Sequence, residues 1–551
     1  MAEISHPPQE QLTDLAFCID SNPPWDHVII LAFQHYIVML GTSVMLPSLL
    51  VPLMGGNDSD KANIIQTLLF VAGIKTLLQT LFGTRLPTVL GGSYAFVIPI
   101  VTIIRDSTLQ RIPDPNIRFL HTIRAVQGAM IIASSLQIIL GFSQIWGIFS
   151  QYFSPLSMSP VICLLGLGLL DHGFPVVGNC VEIGIPMLIT VIVLCLRLKN
   201  IKTWKDEPVF ERFSVLLSIS IIWAYAQLLT AAGAYRHASE KTQAHCCTDK
   251  ARLISSAPWI KFPYPLQWGA PTFNAGHTFA IMAGVLVSLM EVSFEATFEF
   301  LILDPGCLLK AENQSQLINF MQSTGSYIAA SRFAMATPPP AHVLSRGIGW
   351  QGIGVLLDGL FGSFTGSTVS VENIGLLGLS RVGSRRVVQV SAGFMILFSV
   401  LGKFGAVFAS IPFPIFAALY CVLFGLLASL GLSFLQFTNM NSMRNMFISG
   451  LSLFLGLSIP QYFNQTWLST RHGPVHTKAS WFNCILNTLF SSPPIIASIV
   501  AIFLDNTIDV DMSEKDRGMP WWAKFRSFRG DTRNEEFYTL PCNLNRFFPP
   551  G

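Results

Sequence analysis

The sequence predicts an all-α membrane protein that crosses the lipid bilayer many times. Of its 551 residues, 51% are hydrophobic and only 12% are charged, whereas soluble domains carry about 25% charged residues. The mean hydropathy is +0.52. Such an apolar composition excludes a disordered chain. The net charge of +3 is too small to indicate nucleic-acid binding.

Apolar runs predict where the chain crosses the membrane, since a transmembrane helix needs about twenty predominantly apolar residues. Long runs lie at 28–50, 63–82, 123–149, 155–171, 176–196, 213–233, 387–410, 412–433, 443–460 and 481–504. Shorter or Gly/Pro-interrupted candidates lie at 88–104, 277–291, 348–363 and 365–380. Together they predict about fourteen transmembrane segments. The predicted transmembrane domain spans 27–504, between an N-terminal tail at 1–26 and a C-terminal tail at 505–551.

The cysteines do not indicate a disulfide scaffold, because only ten are spread over the whole chain. Cys180 lies in an apolar run, where a cysteine usually behaves as a small hydrophobic residue. Cys246 and Cys247 are adjacent in a polar loop, where they could be oxidised.

Basic residues predict how the chain is oriented. With fourteen segments, the basic loops at 197–212 and 381–386 and the basic C-terminal tail fall on one side, together with both termini. Because Lys and Arg concentrate in cytoplasmic loops, both termini are predicted to be cytoplasmic. The N-glycosylation sequons at Asn57 and Asn464 then lie outside. The long loop at 234–262 is also basic and is an exception to the rule.

Two of the shorter segments are interrupted in a similar way. Residues 86–99 and 362–375 each combine a short β-prone stretch with glycine and small polar residues, and each is predicted to begin a half-helix. They are the third and the tenth segments, which is the spacing expected for two seven-span halves. Paired interruptions of this kind mark a ligand site near the bilayer midplane. The alternative is that glycine and proline are simply frequent in membrane helices.

Four ionisable residues inside apolar runs are candidate functional residues: His35, Glu291, Asp358 and Glu372. Each would be costly at the bilayer centre unless it is paired or used. His35 could instead be a hydrogen-bonded packing residue, and Asp358 could contact a neighbouring helix or lie near the end of its segment. Glu372 lies at the interruption of the tenth segment, where a carboxylate suits a planar ligand with ring NH donors.

The tenth segment carries the most specific pattern. Residues 372–381 read Glu-Asn-Ile-Gly-Leu-Leu-Gly-Leu-Ser-Arg, which resembles the nucleobase–ascorbate transporter signature Gln/Glu/Pro-Asn-x-Gly-x4-Thr-Arg/Lys/Gly. Gln34-His35 resembles the family's QH motif, and residues 92–96 resemble its third-segment motif. The resemblance covers about 25–525. It implies a fourteen-span 7+7 inverted repeat with core and gate domains, usually dimeric, which moves its substrate together with H⁺ or Na⁺.

The resemblance also implies roles for individual residues. Glu372 would accept hydrogen bonds from the substrate, and the backbone at Val371 would pair with the substrate's edge. Tyr94 would pack on its ring, and Glu291 would supply the carboxylate of the eighth segment. Asn373 would hold the geometry of the tenth segment. The remaining structural or coupling positions are Gln34, His35, Gly375, Ser380 and Arg381.

The chain departs from the family pattern at two single positions. Ser380 stands where Thr is usual, which keeps the hydroxyl. Phe364 stands where a small residue is expected, so its ring is expected to narrow the ligand site or to shift its backbone.

A larger departure lies in the eighth segment. The family pattern continues directly from Glu291 to Ser-Thr-Gly, whereas here an anomalous insertion, residues 292–322, intervenes. Without it, 277–291 would join 323–330 in a helix of membrane-spanning length. With it, Glu291 is followed by glutamates at i+4 and i+8 on one helical face, where like charges repel. The insertion begins with Val and ends with Gln, whose codons can supply intron borders, so it is either a retained in-frame intron or a genuine insertion.

The sequence therefore predicts a secondary active transporter, a symporter that imports nucleobases such as purines, xanthine, uric acid or uracil with protons across the plasma membrane. The alternatives are an ascorbate carrier, although those members usually have Pro at the position of Glu372, and a product inactivated by 292–322. The expected partners are the nucleobase, H⁺ or Na⁺, the lipid bilayer and a second copy in a homodimer. No cofactor, metal or nucleic acid is expected. An enzyme is not expected, because the HxxxH pattern at 472–476 lies in a proline-containing loop.

Overall fold

The computed structural model is a bundle of helices. It describes residues 12, 15–93, 96–104, 106–144, 154–170, 173–198, 208–248, 259–274, 277–278, 281–282, 322–403, 407, 411–470, 474–475, 490, 492–508, 518 and 537–547. The predicted substrate residues Tyr94 and Glu291 lie outside the described residues, as does the anomalous insertion apart from Gln322.

Helices dominate the described chain from its N-terminal to its C-terminal end. The elements before the insertion are α1 (Trp25–Met54), α2 (Asp58–Leu81), β1 (Leu90–Gly92), α3 (Val97–Ile104), α4 (Ser107–Gln110), α5 (Pro115–Phe142), α6 (Pro155–Leu167), the helical stretch α7 (Phe174–Arg197), α8 (Val209–Arg212), α9 (Ser214–Ala231) and α10 (Glu240–Cys246). Those that follow are α11 (Gln322–Phe333), α12 (Ala341–Phe361), β2 (Ser367–Val369), α13 (Val371–Ser380), α14 (Arg385–Val400), α15 (Phe413–Ser433), α16 (Met443–Thr470) and α17 (Pro493–Thr507). Short 3₁₀ segments cover Phe434–Phe437 and Pro541–Phe547.

Within the described ranges, seven helical stretches are long and apolar enough to cross a membrane. They are α1, α2, α5, α7, α9, Phe413–Phe437 and Met443–Phe463. Helices α6 and α17 are apolar but shorter. These helices confirm the prediction of a mostly helical, multi-pass membrane protein. The count of fourteen segments and the 7+7 inverted repeat stay predictions.

Local sequence determines where the first helices end and begin. Helix α1 ends at Gly55, whose φ of +91° is readily adopted by glycine alone. Helix α2 begins at a capping box in which Asn57 and Asp60 each accept a hydrogen bond from the other's backbone NH. Such a cap stabilises a helix start by about 1 kcal/mol.

The two interrupted segments meet as a pair of short strands. β1 and β2 pair antiparallel, with Gly91 opposite Thr368 and Gly92 opposite Ser367. The Ser370 backbone NH extends this pairing to the Val89 carbonyl at 2.9 Å. Helix α3 follows β1 and helix α13 follows β2, which confirms the short strands and half-helices predicted for these segments.

Segments near both chain ends pack on one face of the bundle. Ile19 donates its backbone NH to the Ala334 carbonyl at 2.9 Å. Tyr538 is fully buried and donates its hydroxyl to the Thr337 carbonyl, while its own carbonyl accepts a hydrogen bond from Arg346 at 3.0 Å. Both segments therefore contact the α11–α12 region, and we call this side the terminal face.

A disulfide on the opposite side joins Cys180 to Cys246. The expectation that Cys180 is a simple apolar packing residue is therefore wrong, whereas Cys246 is indeed oxidised. Helix α9 begins next to Glu211, which pairs at 3.0 Å with Arg381, and the Arg381 carbonyl accepts a hydrogen bond from the N-terminal segment. The 18 residues of α9 then span about 27 Å before the chain continues to α10, whose last residue is Cys246. The disulfide thus lies far from the terminal face.

Candidate functional site

A cleft lies beside the strand pair, at the point where β2 continues into α13. Its empty volume, which includes space open to solvent, is about 410 Å³. It is lined by Thr42, Gly92, Leu169, Thr368, Val369, Ser370, Val371, Glu372, Tyr420 and Phe424. The lining combines residues from both strands with one carboxylate, several hydroxyls and two aromatic rings. Such a site suits a flat ligand that carries hydrogen-bond donors at its edge.

Glu372 lies in the first turn of α13 and is 7% exposed. One carboxylate oxygen accepts a hydrogen bond from the Thr42 hydroxyl at 2.6 Å, and the other accepts one from the Ser370 hydroxyl at 2.7 Å. The amino end of a helix also favours negative charge. Each carboxylate oxygen retains a further lone pair, so the group is held in place and can still accept a hydrogen bond from a ligand.

Asn373 connects this carboxylate to His35 on α1. Its amide nitrogen donates to the Ser370 hydroxyl oxygen at 2.9 Å, and its amide oxygen lies 2.8 Å from Nδ1 of His35. An amide oxygen can only accept, so Nδ1 of His35 carries a proton in this arrangement. The structure therefore brings together three of the residues that sequence reasoning selected, His35, Glu372 and Asn373, in one buried network.

Several residues that line the cleft were not predicted from the sequence. Thr42 lies seven positions after His35 and so falls on the same face of α1, a spacing that could have identified it. Tyr420 and Phe424 occupy positions i and i+4 of α15, with their rings stacked 5.3 Å apart. The Tyr420 hydroxyl lies 3.5 Å from that of Thr42, which extends the network to a second group of helices.

One family model and several known proteins match this chain. A family model described as a permease family matches residues 26–297 and 292–465. The chain is 66% identical to nucleobase-ascorbate transporter 1 of Arabidopsis thaliana over 100% of both chains. This chain belongs to the nucleobase-ascorbate transporter family. It is also 64% identical to transporter 2 of that plant over 100% of this chain and 99% of the relative, and 53% identical to transporter 6 over 99% and 97%.

Membership confirms the predicted family and shows that the chain is a multi-pass membrane transporter, not an enzyme. The two matched stretches overlap at 292–297, where the anomalous insertion begins. Among solved structures, the murine Solute Carrier 26 family member A9 anion transporter in the inward-facing state aligns with 86% of this chain and 68% of its own. The alignment has 11% identity and a TM-score of 0.33, which is too weak to support an argument.

Three of the transporter's predicted residues lie away from the cleft. Gln34 links α1 to α8 and α9, because its amide nitrogen donates to the Arg212 carbonyl and its amide oxygen accepts from the Leu216 backbone NH, both at 3.4 Å. Ser380 donates to a carbonyl one turn earlier in α13. Arg381 ends α13 in a left-handed conformation. None of the three lines the cleft.

Two further positions affect how α13 and β2 pack. A Cβ atom added at Gly375 would lie 2.7 Å from the Leu423 carbonyl, so glycine lets α13 approach α15 closely. Phe364 has a φ of +57°, an unusual backbone conformation for a bulky residue. Its ring is fully buried in the hydrophobic cluster that includes Phe96 and is not among the cleft-lining residues. The expectation that the Phe364 ring narrows the site is therefore wrong.

Proposed function

We propose that the transporter is a symporter that imports nucleobases, such as purines, xanthine, uric acid or uracil, together with protons. The observation that carries this proposal is the Glu372 carboxylate, which two hydroxyl donors fix at a cleft beside paired strand ends. Nucleobases are flat and present ring NH donors next to carbonyl acceptors. A fixed carboxylate accepts from the donors, and backbone NH groups beside it donate to the carbonyls.

In the proposed complex, Glu372 accepts from the ring NH groups, and the backbone at Val371 pairs with the base edge. The Phe424 ring, stacked on Tyr420, offers an apolar surface to one face of the base. Tyr94 is proposed to pack on the base as well, and Glu291 to contribute the second carboxylate. A carboxylate that crosses the apolar midplane unpaired must be neutral, and the co-transported proton neutralises it. Sodium is the alternative coupling ion.

Ascorbate is the alternative substrate within the family. Ascorbate is an anion at neutral pH, and a second negative charge beside Glu372 would be repelled in a site with little water. The fixed carboxylate therefore favours neutral bases such as adenine and uracil over ascorbate, and also over uric acid, which is likewise an anion at neutral pH. The names of the relatives cover both substrate classes and do not distinguish them.

We further propose that the transporter is a homodimer in the plasma membrane with both termini in the cytoplasm. Disulfides form in oxidising compartments, so the face that carries Cys180 and Cys246 suits the exterior. The terminal face then suits the cytoplasm. Helix α16 exposes large apolar residues such as Phe447 and Phe454, which suits contact with lipid or with a second copy.

Uptake in yeast that lacks its own nucleobase carriers tests the proposal. Full-length protein and a variant without residues 292–322 are compared with tritiated xanthine, adenine and uracil and with labelled ascorbate. We expect saturable nucleobase uptake, and ascorbate uptake without nucleobase uptake would refute the proposal. Activity confined to the shortened protein would show that the insertion inactivates transport. Transcript sequencing then tests its origin, since an insertion present in every mature message is not a retained intron.

A further inference from the structure

A buried ion pair lies behind the strand pair and outside the cleft. Nζ of Lys75 on α2 lies 2.9 Å and 3.1 Å from the two carboxylate oxygens of Asp358 on α12, and both side chains are 0% exposed. Removing two such charges from water costs several kcal/mol, which mutual attraction offsets only when further hydrogen bonds satisfy both groups. The remaining partners of the pair therefore indicate what it does.

Those remaining partners belong mainly to the two strands. Lys75 also lies 3.4 Å from the carbonyl of Gly91 in β1. Asp358 accepts a hydrogen bond from the hydroxyl of Ser367 in β2 at 2.5 Å and from that of Ser363, in the preceding loop, at 2.7 Å. Each member of the ion pair thus contacts one strand, so the pair fixes β1 and β2 relative to α2 and α12.

The helices approach the strands closely enough for these contacts. A Cβ atom added at Gly354 would lie 3.0 Å from the Ser367 hydroxyl oxygen and 3.5 Å from Cβ of Lys75. One turn earlier on α12, the Gln351 amide donates to the Ser367 carbonyl at 2.9 Å. Both the side chain and the carbonyl of Ser367 are therefore bound to α12, which leaves β2 little freedom to shift.

The other side of the strand pair borders the cleft, where Gly92, Thr368 and Val369 contribute to the lining. We infer that Lys75 and Asp358 are positioning residues, which contact no ligand but set where the strand edges meet the substrate. The inference rests on the proposed function, because it assigns this pair a share of substrate affinity. A shift of the strands would separate their backbone groups from the base edge while Glu372 stays in place.

Two serine variants separate positioning from simple stability. Ser367→Ala and Ser363→Ala each remove one hydroxyl donor to the same carboxylate, but only Ser367 belongs to a strand. In uptake of tritiated xanthine and uracil, Ser367→Ala should raise KM about five- to tenfold, near the upper end of what the loss of one ordinary hydrogen bond costs. Ser363→Ala should change KM by less than about twofold. Equal KM values in the two variants would overturn the inference.

Charge variants provide a second test. Lys75→Met or Asp358→Asn alone buries an unpaired charge and is expected to lower membrane abundance. The double variant Lys75→Met/Asp358→Asn buries no unpaired charge, so its abundance should exceed that of either single variant while its KM stays raised. A double variant with normal abundance and wild-type KM would mean that the pair contributes to folding only, and the positioning role would be wrong.

A measurement without substrate distinguishes failure of this inference from failure of the proposed function. Hydrogen–deuterium exchange of purified protein in nanodiscs reports the strand amides directly. Ser367→Ala should speed exchange in 90–92 and 367–369 about tenfold relative to Ser363→Ala, because local opening becomes easier. If wild type transports no tested nucleobase, the proposed function fails, and the exchange rates still decide the positioning role. Identical exchange in both variants would refute it.

Discussion

Replacing Glu372 with Gln should raise KM for nucleobases roughly five- to tenfold and leave membrane abundance near the wild-type level. The reason lies in the two hydroxyls that hold the carboxylate. The Ser370 hydroxyl already accepts from both the side-chain amide and the backbone NH of Asn373, so it keeps donating to residue 372. The Thr42 hydroxyl can rotate to accept from the new amide group and to donate toward Tyr420, 3.5 Å away. The network therefore survives, and only the charge is lost.

The expected rise in KM follows from the hydrogen bond between Glu372 and the ligand. A hydrogen bond to a charged group contributes about 1.5–3 kcal/mol, and one between neutral groups about 0.5–1.5 kcal/mol. The difference of about 1–1.5 kcal/mol corresponds to roughly five- to tenfold in affinity, at 1.4 kcal/mol per factor of ten. Glu372→Ala also leaves the Ser370 hydroxyl and the ring donors without an acceptor, so its KM should rise about ten- to a hundredfold.

The assay is initial-rate uptake of tritiated xanthine and uracil across a concentration series, in protein with and without residues 292–322. Membrane abundance is measured in parallel by surface biotinylation. Glu211→Gln is the matched control, because it makes the same chemical change at a carboxylate that pairs with Arg381 away from the cleft. Its KM should equal that of wild type. Unchanged KM in both Glu372 variants, at normal abundance, would show that Glu372 does not contact the substrate.

Four further outcomes are expected. Asn373→Ala should lower the maximal uptake rate at near-normal surface expression, since it breaks the buried network; lost expression would assign the residue to folding instead. Uptake should rise as external pH falls, because carboxylates must be neutralised to cross the midplane unpaired; uptake that ignores pH and requires Na⁺ would contradict proton coupling. Tyr538→Ala should lower the free energy of unfolding by about 3–5 kcal/mol in denaturation assays, whereas Cys542→Ser, at an exposed position nearby, should not. Cys247, half-buried beside the disulfide, should react with an impermeant maleimide added outside intact cells, and Cys247→Ser should remove that labelling; labelling only after permeabilisation would reverse the assigned orientation.

Much of the fold could be predicted because membrane helices and their interruptions leave local signals. Apolar runs located the long helices, and glycine with small polar residues located β1 and β2. The same logic could have identified Lys75, a charged residue inside an apolar run, as readily as Asp358. The Phe364 ring was predicted to narrow the site but is buried in a hydrophobic cluster, and nothing in the residue type reports its unusual φ.

The site was only partly predictable because its contacts join distant parts of the chain. His35 and Asn373 came from motifs, but their direct hydrogen bond spans 338 positions. Thr42 and Tyr420 belong to ordinary apolar helices, where one hydroxyl carries little signal until the fold places it beside a carboxylate. The disulfide partner of Cys246 could not be predicted for the same reason, since Cys180 lies 66 positions earlier in the sequence.

The distance in sequence between the two strands also delays their pairing during synthesis of the chain. Ser93 and Thr365, which hydrogen-bond at the end of the pair, are 272 positions apart, and ribosomes add about 5–20 residues per second. The edge of β1 must therefore wait roughly 14–54 seconds for its partner, while unpaired backbone groups are costly in a lipid environment. During that interval the nascent chain depends on the insertion machinery or on neighbouring helices to shelter β1. A truncated product that ends before β2 would keep this edge unpaired and become a target for membrane quality control.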